Sequence, residues 1–258
     1  MRRPKLIAAL ATVALIGTGY AAGTAAATDT GAQAFQLRWS PNPATDGLDA
    51  FVGIEDDRSH SHPGVKHIFA EADQYRFLMH KRDRDGSDRQ RNEVRAIRKG
   101  SERVDMHKGE TWRYTYQMYI PGSLKGTTNF THIFQVKHTN VGSPVVTVSL
   151  GRSGSSERIE MRMYGGGGNV GTTDLKPLRD KWIDVEIEIK VADGSAGRLR
   201  FQITNGGTTV VNASRTGDTW LGGSQAHPKW GIYRSIKDSG QLEDTYLLLR
   251  NMKAYRDQ

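Results

Sequence analysis

The sequence has no cysteine. Disulfide frameworks and thiolate chemistry are therefore excluded, and stability has to come from burial of the chain's own apolar side chains. Long apolar runs are also scarce. The one clear stretch, residues 6–16, is shorter than the roughly 20 residues a membrane-spanning helix needs. It follows Arg2, Arg3 and Lys5 and precedes three alanines at 25–27. That order is the pattern of a secretory signal peptide, residues 1–27. The expected destination is therefore extracellular, with no membrane association after the leader is removed.

No Pro/Ser-rich linker or shift in composition divides the rest of the chain. The remaining stretch of about 230 residues suits one large domain. Residues 28–45 are small and polar and are expected to be a flexible segment, with the domain over 46–258. No long stretch has a clear helical period, no repeat recurs at a fixed spacing, and neither a zinc-ligand spacing nor a Ser/His/Asp elbow is visible. The glycines at 165–168 lack the Lys-Ser/Thr of a phosphate cradle and read as a loop.

What is present is alternation. Apolar and polar residues alternate with period two over 75–81, 91–97, 111–120, 132–138, 145–150, 158–164, 182–191, 198–204, 229–234 and 245–255. Asp-Gly and Asn-Gly steps at Asp85-Gly86, Asp193-Gly194 and Asn205-Gly206 supply turns. The pattern predicts an all-β, two-sheet antiparallel jelly roll, a concanavalin-like sandwich. Parity assigns Ile183, Val185, Ile187 and Ile189 to the core. It also assigns Val94, Ala96, Phe134, Val136, Trp230 and Ile232 to the core, and turns their polar neighbours outward.

The net charge is +8, or +5 without residues 1–27. A basic exported protein can meet nucleic acid, an anionic surface or an acidic polymer. Basic residues here alternate with acidic ones and form no continuous stripe, which argues against nucleic acid. The charged run over 81–91 reads as a solvated hairpin.

Three segments concentrate polar groups on outward positions: Arg91-Asn92-Glu93-Val94-Arg95, Phe134-Gln135-Val136-Lys137-His138 and Lys229-Trp230-Gly231-Ile232-Tyr233-Arg234. In order, they resemble the signature strands of β-jelly-roll polysaccharide lyases. Those families, which include alginate, heparin and glucuronan lyases, carry an Arg-x-Glu strand, a Gln strand, and a late strand with Lys and Tyr around a glycine. The wording of the third segment is most similar to the glucuronan-lyase-like branch. The resemblance implies a concave substrate cleft and β-elimination on an acidic, uronate-containing polysaccharide, with no cofactor required and the enzyme acting as a monomer.

The chemistry suits these residue types. The C5 proton of a uronic acid is weakly acidic while its carboxylate keeps its charge, so amide or cationic groups against that carboxylate stabilise the developing enolate. Gln135 and Arg91 are the expected catalytic groups for this. Tyr233 is the expected acid/base, because one phenol can take the C5 proton and return one to the leaving oxygen. Lys229 is expected to favour the ionised phenol, and Gly231 to leave room for the sugar. Glu93, Arg95, Lys137, Lys229, Arg234 and Tyr164 complete the expected substrate contacts. Several of these families place a histidine two residues after the glutamine, whereas this chain has Lys137 there. His80 is then the candidate histidine, while His132 shares the parity of Phe134 and is expected to be buried. Glu55 and Asp56 are candidate ligands for a structural calcium. Two further readings remain open: a non-catalytic carbohydrate-binding sandwich, and a glycoside hydrolase using Asp184, Glu186 and Glu188, a pattern that also fits an exposed convex strand.

Overall fold

The structure, a computed structural model, describes residues 34–258. The expected signal peptide lies outside the described residues.

Alternation becomes sixteen strands. The first eight are β1 (Phe35–Trp39), β2 (Phe51–Glu55), β3 (Ile68–Glu71), β4 (Gln74–Met79), β5 (Arg89–Lys99), β6 (Glu102–Val104), β7 (Thr111–Tyr119) and β8 (Thr131–His138). The second eight are β9 (Pro144–Ser153), β10 (Ser156–Met163), β11 (Gly168–Asp174), β12 (Trp182–Lys190), β13 (Arg198–Asn205), β14 (Thr208–Thr216), β15 (Ala226–Ser235) and β16 (Thr245–Asp257). They form two antiparallel sheets. The first runs β14-β13-β12-β7-β16-β4-β3, with β1 also on β16. The second runs β11-β10-β9-β8-β15-β5-β2, with β6 also on β5. This is the expected jelly-roll sandwich. Among the described residues no helix is long and apolar enough to cross a membrane.

Each sheet turns its apolar parity inward. Ile183, Val185, Ile187 and Ile189 of β12 are buried, as are Phe134, Val136, Trp230 and Ile232 of the other sheet. The sheets are joined by aromatic contacts: Tyr114 on β7 meets the edge of Trp230 on β15 at 5.9 Å and packs against Phe134 on β8 at 6.2 Å. Such pairs add about 0.5–1.5 kcal/mol beyond simple burial.

The flexible segment expected over 28–45 is corrected where it is described. Phe35–Trp39 pairs with the end of β16, and Trp39 stacks on Trp230 at 5.8 Å. Phe35, Leu37 and Trp39 alternate with Gln36 and Arg38, the same period-two signal as the longer strands, although much of β1 is exposed at a sheet margin.

Two irregularities shape the outer face of the second sheet. Between His132 and Phe134, β8 carries one residue more than β9, and both Ile133 and Phe134 are buried. Between Trp230 and Tyr233, β15 carries one residue more than β8. These are β-bulges, which re-aim side chains. Gly231 lies at the second bulge with φ +136°. A Cβ there would fall 2.7 Å from the Cα of Glu93 and closer still to the carbonyl oxygen of Asn92. The glycine therefore lets β15 approach β5; it does not make room for a sugar, as its position had suggested. Gly231→Ala should lower stability by about 2 kcal/mol or more, through backbone strain and that clash. Urea denaturation checks this, and an unchanged midpoint would contradict it.

Candidate active site

The outer face of the second sheet carries the site. The register sets Arg91 opposite Tyr233, Glu93 opposite Gly231 and Arg95 opposite Lys229. On the other side of β15, Lys229 lies opposite Gln135 and Tyr233 opposite His132. On β2, Glu55 faces Glu93. Thus three strands bring Arg91, Glu93, Gln135, Lys229 and Tyr233 onto one face; parity turns each of them outward, and the register joins them.

Glu93 is the hub, with no exposed surface. Its carboxylate accepts from Arg91 at 3.0 Å, from Lys229 at 2.8 Å and from the Gln135 amide at 2.7 Å. Glu55 takes a second contact from Lys229 at 2.7 Å and one from Arg91 at 3.3 Å. Asp85 accepts from Arg91 at 2.9 Å and from Arg58 at 2.8 Å. Burial alone would raise the Glu55 carboxyl, but Lys229, Arg91 and Arg58 outweigh it and hold the group below the ordinary carboxylate range. Lys229 and Arg91 are therefore committed to internal carboxylates instead of standing free for substrate.

Tyr233 stands beside this network. The Arg91 guanidinium lies over its ring, 3.8 Å from the centroid, and the Arg89 guanidinium donates to its phenol oxygen at 2.8 Å. It is Arg89 that reaches the oxygen, since the Lys229 ammonium is taken by Glu55 and Glu93. Arg89 is two residues before Arg91, so period two marks its face once the strand is extended by those two residues.

His132 also faces the site, contrary to its assignment to the core. The bulge at Ile133 inverts its parity, setting the imidazole 5.7 Å from the Tyr233 ring and its Nδ1 2.7 Å from Ser149 Oγ. No pattern in the sequence announces that bulge. Ser149 donates to Thr147, so its oxygen accepts from His132 Nδ1 and leaves Nε2 with the lone pair. Burial, reinforced by the Arg91 charge, pulls His132 down to about 4, so the ring is neutral at neutral pH. Burial, with Lys229 and Arg91, also lowers the Lys137 ammonium. Lys137 itself donates to the Gly142 carbonyl, and Arg95 is half exposed near Glu55.

A groove of about 370 Å³ continues from His132 past Phe130, Ser149, Arg158 and Arg162 to Tyr164. Tyr164 thus lies on the same groove as the site. A larger hollow of about 490 Å³ beside Trp39 and Arg98 is lined by neither tyrosine nor histidine.

Other expected residues fall elsewhere. Arg234 has no exposed surface and donates to Gln90 and to the Glu243 carbonyl, because the residue after Tyr233 points to the other side of the sheet. It cannot touch substrate. His80 is grouped with His62, His67 and Asp83, apart from the contacts of Tyr233. Glu55, the last residue of β2, is paired to Lys229, and Asp56 after it to His67, so the two carboxylates expected to share a calcium turn to different partners. The run over 81–91 is no solvated hairpin, since Asp83 is buried and Asp85 is bonded to Arg58 and Arg91. On the first sheet, Glu186 and Glu188 are paired with Arg200, Arg113 and Arg198, while Asp184 accepts from Gln117, leaving no carboxylate pair set up for hydrolysis.

The fold is similar to that of solved lyases. The endo-β-1,4-glucuronan lyase of the fungus Trichoderma reesei superposes with a TM-score of 0.56 at 12% identity, over 85% of this chain and 95% of that one. An alginate lyase of Pseudomonas aeruginosa gives 0.54 at 13% identity, over 80% and 98%. At such identities the likeness establishes the fold. No curated protein sequence matches the chain. The polysaccharide lyase family profile matches residues 50–248, a span that runs from before Glu55 to beyond Tyr233 and includes the whole network around Glu93. The chain belongs to the polysaccharide lyase family, and the protein is a β-jelly-roll polysaccharide lyase.

Proposed function

We propose that this lyase is exported and cleaves an anionic, uronate-containing polysaccharide by β-elimination, with Tyr233 as the acid/base. The carrying observation is the setting of Tyr233. One guanidinium donates to its oxygen, a second covers its ring, and the neutral imidazole of His132 stands beside it. Arg89 compensates the charge on the phenol oxygen while it acts as base. The C5–H electrons form the C4=C5 double bond, the C4–O4 bond breaks, and O4 leaves with a proton from Tyr233.

Recognition of the substrate carboxylate falls to groups that still have donors to offer. These are the second N–H of Gln135 and the partly exposed Arg89 and Arg95. Arg91 and Lys229 act at one remove, holding Glu93 and Glu55. Four cations (Arg58, Arg91, Arg95 and Lys229) share three carboxylates (Glu55, Glu93 and Asp85), which leaves a positive surplus. That surplus favours an anionic ring. The motif wording and the glucuronan lyase relative support a β-1,4-glucuronan-like polymer as the first substrate to test.

Incubation with glucuronan, alginate and heparin, followed by ultraviolet absorbance of the unsaturated product, tests the reading. Absorbance should rise with at least one polyuronate; new reducing ends without absorbance would contradict it. Tyr233→Phe should cut turnover by about a hundredfold or more while polymer retention persists. Full activity would remove Tyr233 from the mechanism. Gln135→Ala should cost about a hundredfold in kcat.

His132 adds a pH signature. Its folded value, about 4, lies below the ordinary 6.5, so between these pH values the unfolded chain binds more protons. Its contribution is complete above pH 6.5 and is lost as pH falls through 4. Melting temperature measured from about pH 7 to about pH 4 should therefore fall less steeply for His132→Gln than for the wild type. Identical slopes would show that His132 is not held neutral.

A further inference from the structure

Three histidines outside the lyase chemistry converge on one buried carboxylate. Asp83 meets Nδ1 of His62 at 2.9 Å, Nε2 of His67 at 3.3 Å and Nδ1 of His80 at 3.4 Å. The rings form a near-equilateral triangle, with centroids 4.9, 5.2 and 5.5 Å apart. One ligand-capable atom from each of the four residues lies within 4.8 Å of the other three. Among the described residues no other group of this kind occurs. The spacing in sequence conceals it, because the ligands come from two connections, β2–β3 and β4–β5.

The polarity of these atoms points to a cation. His67 Nδ1 lies 2.6 Å from Asp56 Oδ1, while Asp56 also accepts the backbone N–H groups of His67 and Ile68. This carboxylate fixes the His67 proton on Nδ1 and aims the Nε2 lone pair at Asp83. Such an outer carboxylate is the usual orienting partner of a metal-bound histidine. Nε2 of His67 and Nδ1 of His80 are both buried without a hydrogen-bond partner. A buried acceptor such as His67 Nε2, and a second unpartnered ring nitrogen on His80, beside one carboxylate are unfavourable unless a cation lies between them.

We propose that His62, His67, His80 and Asp83 bind a divalent transition-metal ion, with Zn²⁺ the best fit. Three imidazoles and one carboxylate make a four-ligand N/O set suited to tetrahedral zinc. Calcium, which takes six to eight oxygen ligands, does not fit. Tetrahedral bonds of about 2.0–2.1 Å set ligands roughly 3.3 Å apart, so a small inward rotation closes the site. The partly exposed rings of His62 and His80 have room for it. With four protein ligands the ion is structural. It ties the β2–β3 connection to the β4–β5 connection, whose Asp85 orients Arg91 and whose end carries Arg89. In a chain without disulfides it acts as a cross-link.

The test uses the chelator-stripped, exported form of the protein and does not depend on its substrate. After dialysis against Zn²⁺, elemental analysis should find one equivalent retained. The melting temperature should rise by roughly 5–10 °C at a hundredfold excess over Kd. Ca²⁺ should leave it unchanged, and Co²⁺ should give the intense visible bands of a tetrahedral site. His62→Ala and His80→Ala, each at a partly exposed position, should melt like the stripped wild type but lose the retained ion and the shift. His107→Ala, at an exposed position outside the group, should keep both. Absence of retained Zn²⁺ in the wild type, or wild-type retention in both variants, overturns the proposal.

Discussion

The carboxylate of Glu93 has no exposed surface, and the candidate active face is organised around it. Desolvating such a charge costs several kcal/mol, and only close, well-aligned partners offset the cost. Here they arrive from three strands: Arg91 along its own strand, Lys229 from β15 and Gln135 from β8. The requirement is severe, since removing one partner of such a pair typically costs about 3–5 kcal/mol. It fixes the register of the strands and the direction of the side chains on them. Arg91 is held where its guanidinium covers Tyr233, and Gln135 is held with one amide N–H to spare.

A buried anion set among more cations than it can neutralise produces a positive field over the groove. Its effects are visible in groups that do not belong to the network. His132 is kept neutral by burial and the Arg91 charge, and the Lys137 ammonium is disfavoured by burial and by the Lys229 and Arg91 charges. A neutral imidazole, a phenol backed by a guanidinium and an anion-attracting surface are compatible requirements, and one arrangement of charges meets all three. The first sheet offers the contrast. Glu186 and Glu188 are matched by Arg113, Arg198 and Arg200 across neighbouring strands, which stabilises the sheet and leaves nothing set up for chemistry.

Much of this was legible in the sequence. Period-two alternation located ten of the strands and the inward residues of β12 and β15, because each sheet has one buried face. It also put Arg91, Glu93, Gln135, Lys229 and Tyr233 on outward positions. What parity could not carry was the effect of an extra residue. One bulge at Ile133 moves His132 from the core to the site. The glycine at the other bulge serves strand approach, a demand set by Asn92 and Glu93 on β5 and invisible in the local sequence. Outward parity also does not distinguish a free cation from a paired one, so Arg91 and Lys229 read as substrate contacts although Glu55 and Glu93 hold them. The edge strand β1 carries the same alternation in Phe35, Leu37 and Trp39 but over five residues only, next to a small, polar stretch, and the His62, His67 and His80 group escaped because its members are joined only in space.

The central claim is that bond cleavage occurs by elimination at the Tyr233 face. Mass spectrometry of the oligosaccharides released from a polyuronate tests it most directly. Elimination predicts fragments whose new non-reducing end is one water lighter than a saturated sugar, in wild type and not in Tyr233→Phe. Saturated fragments, carrying the added water of hydrolysis, would contradict the account.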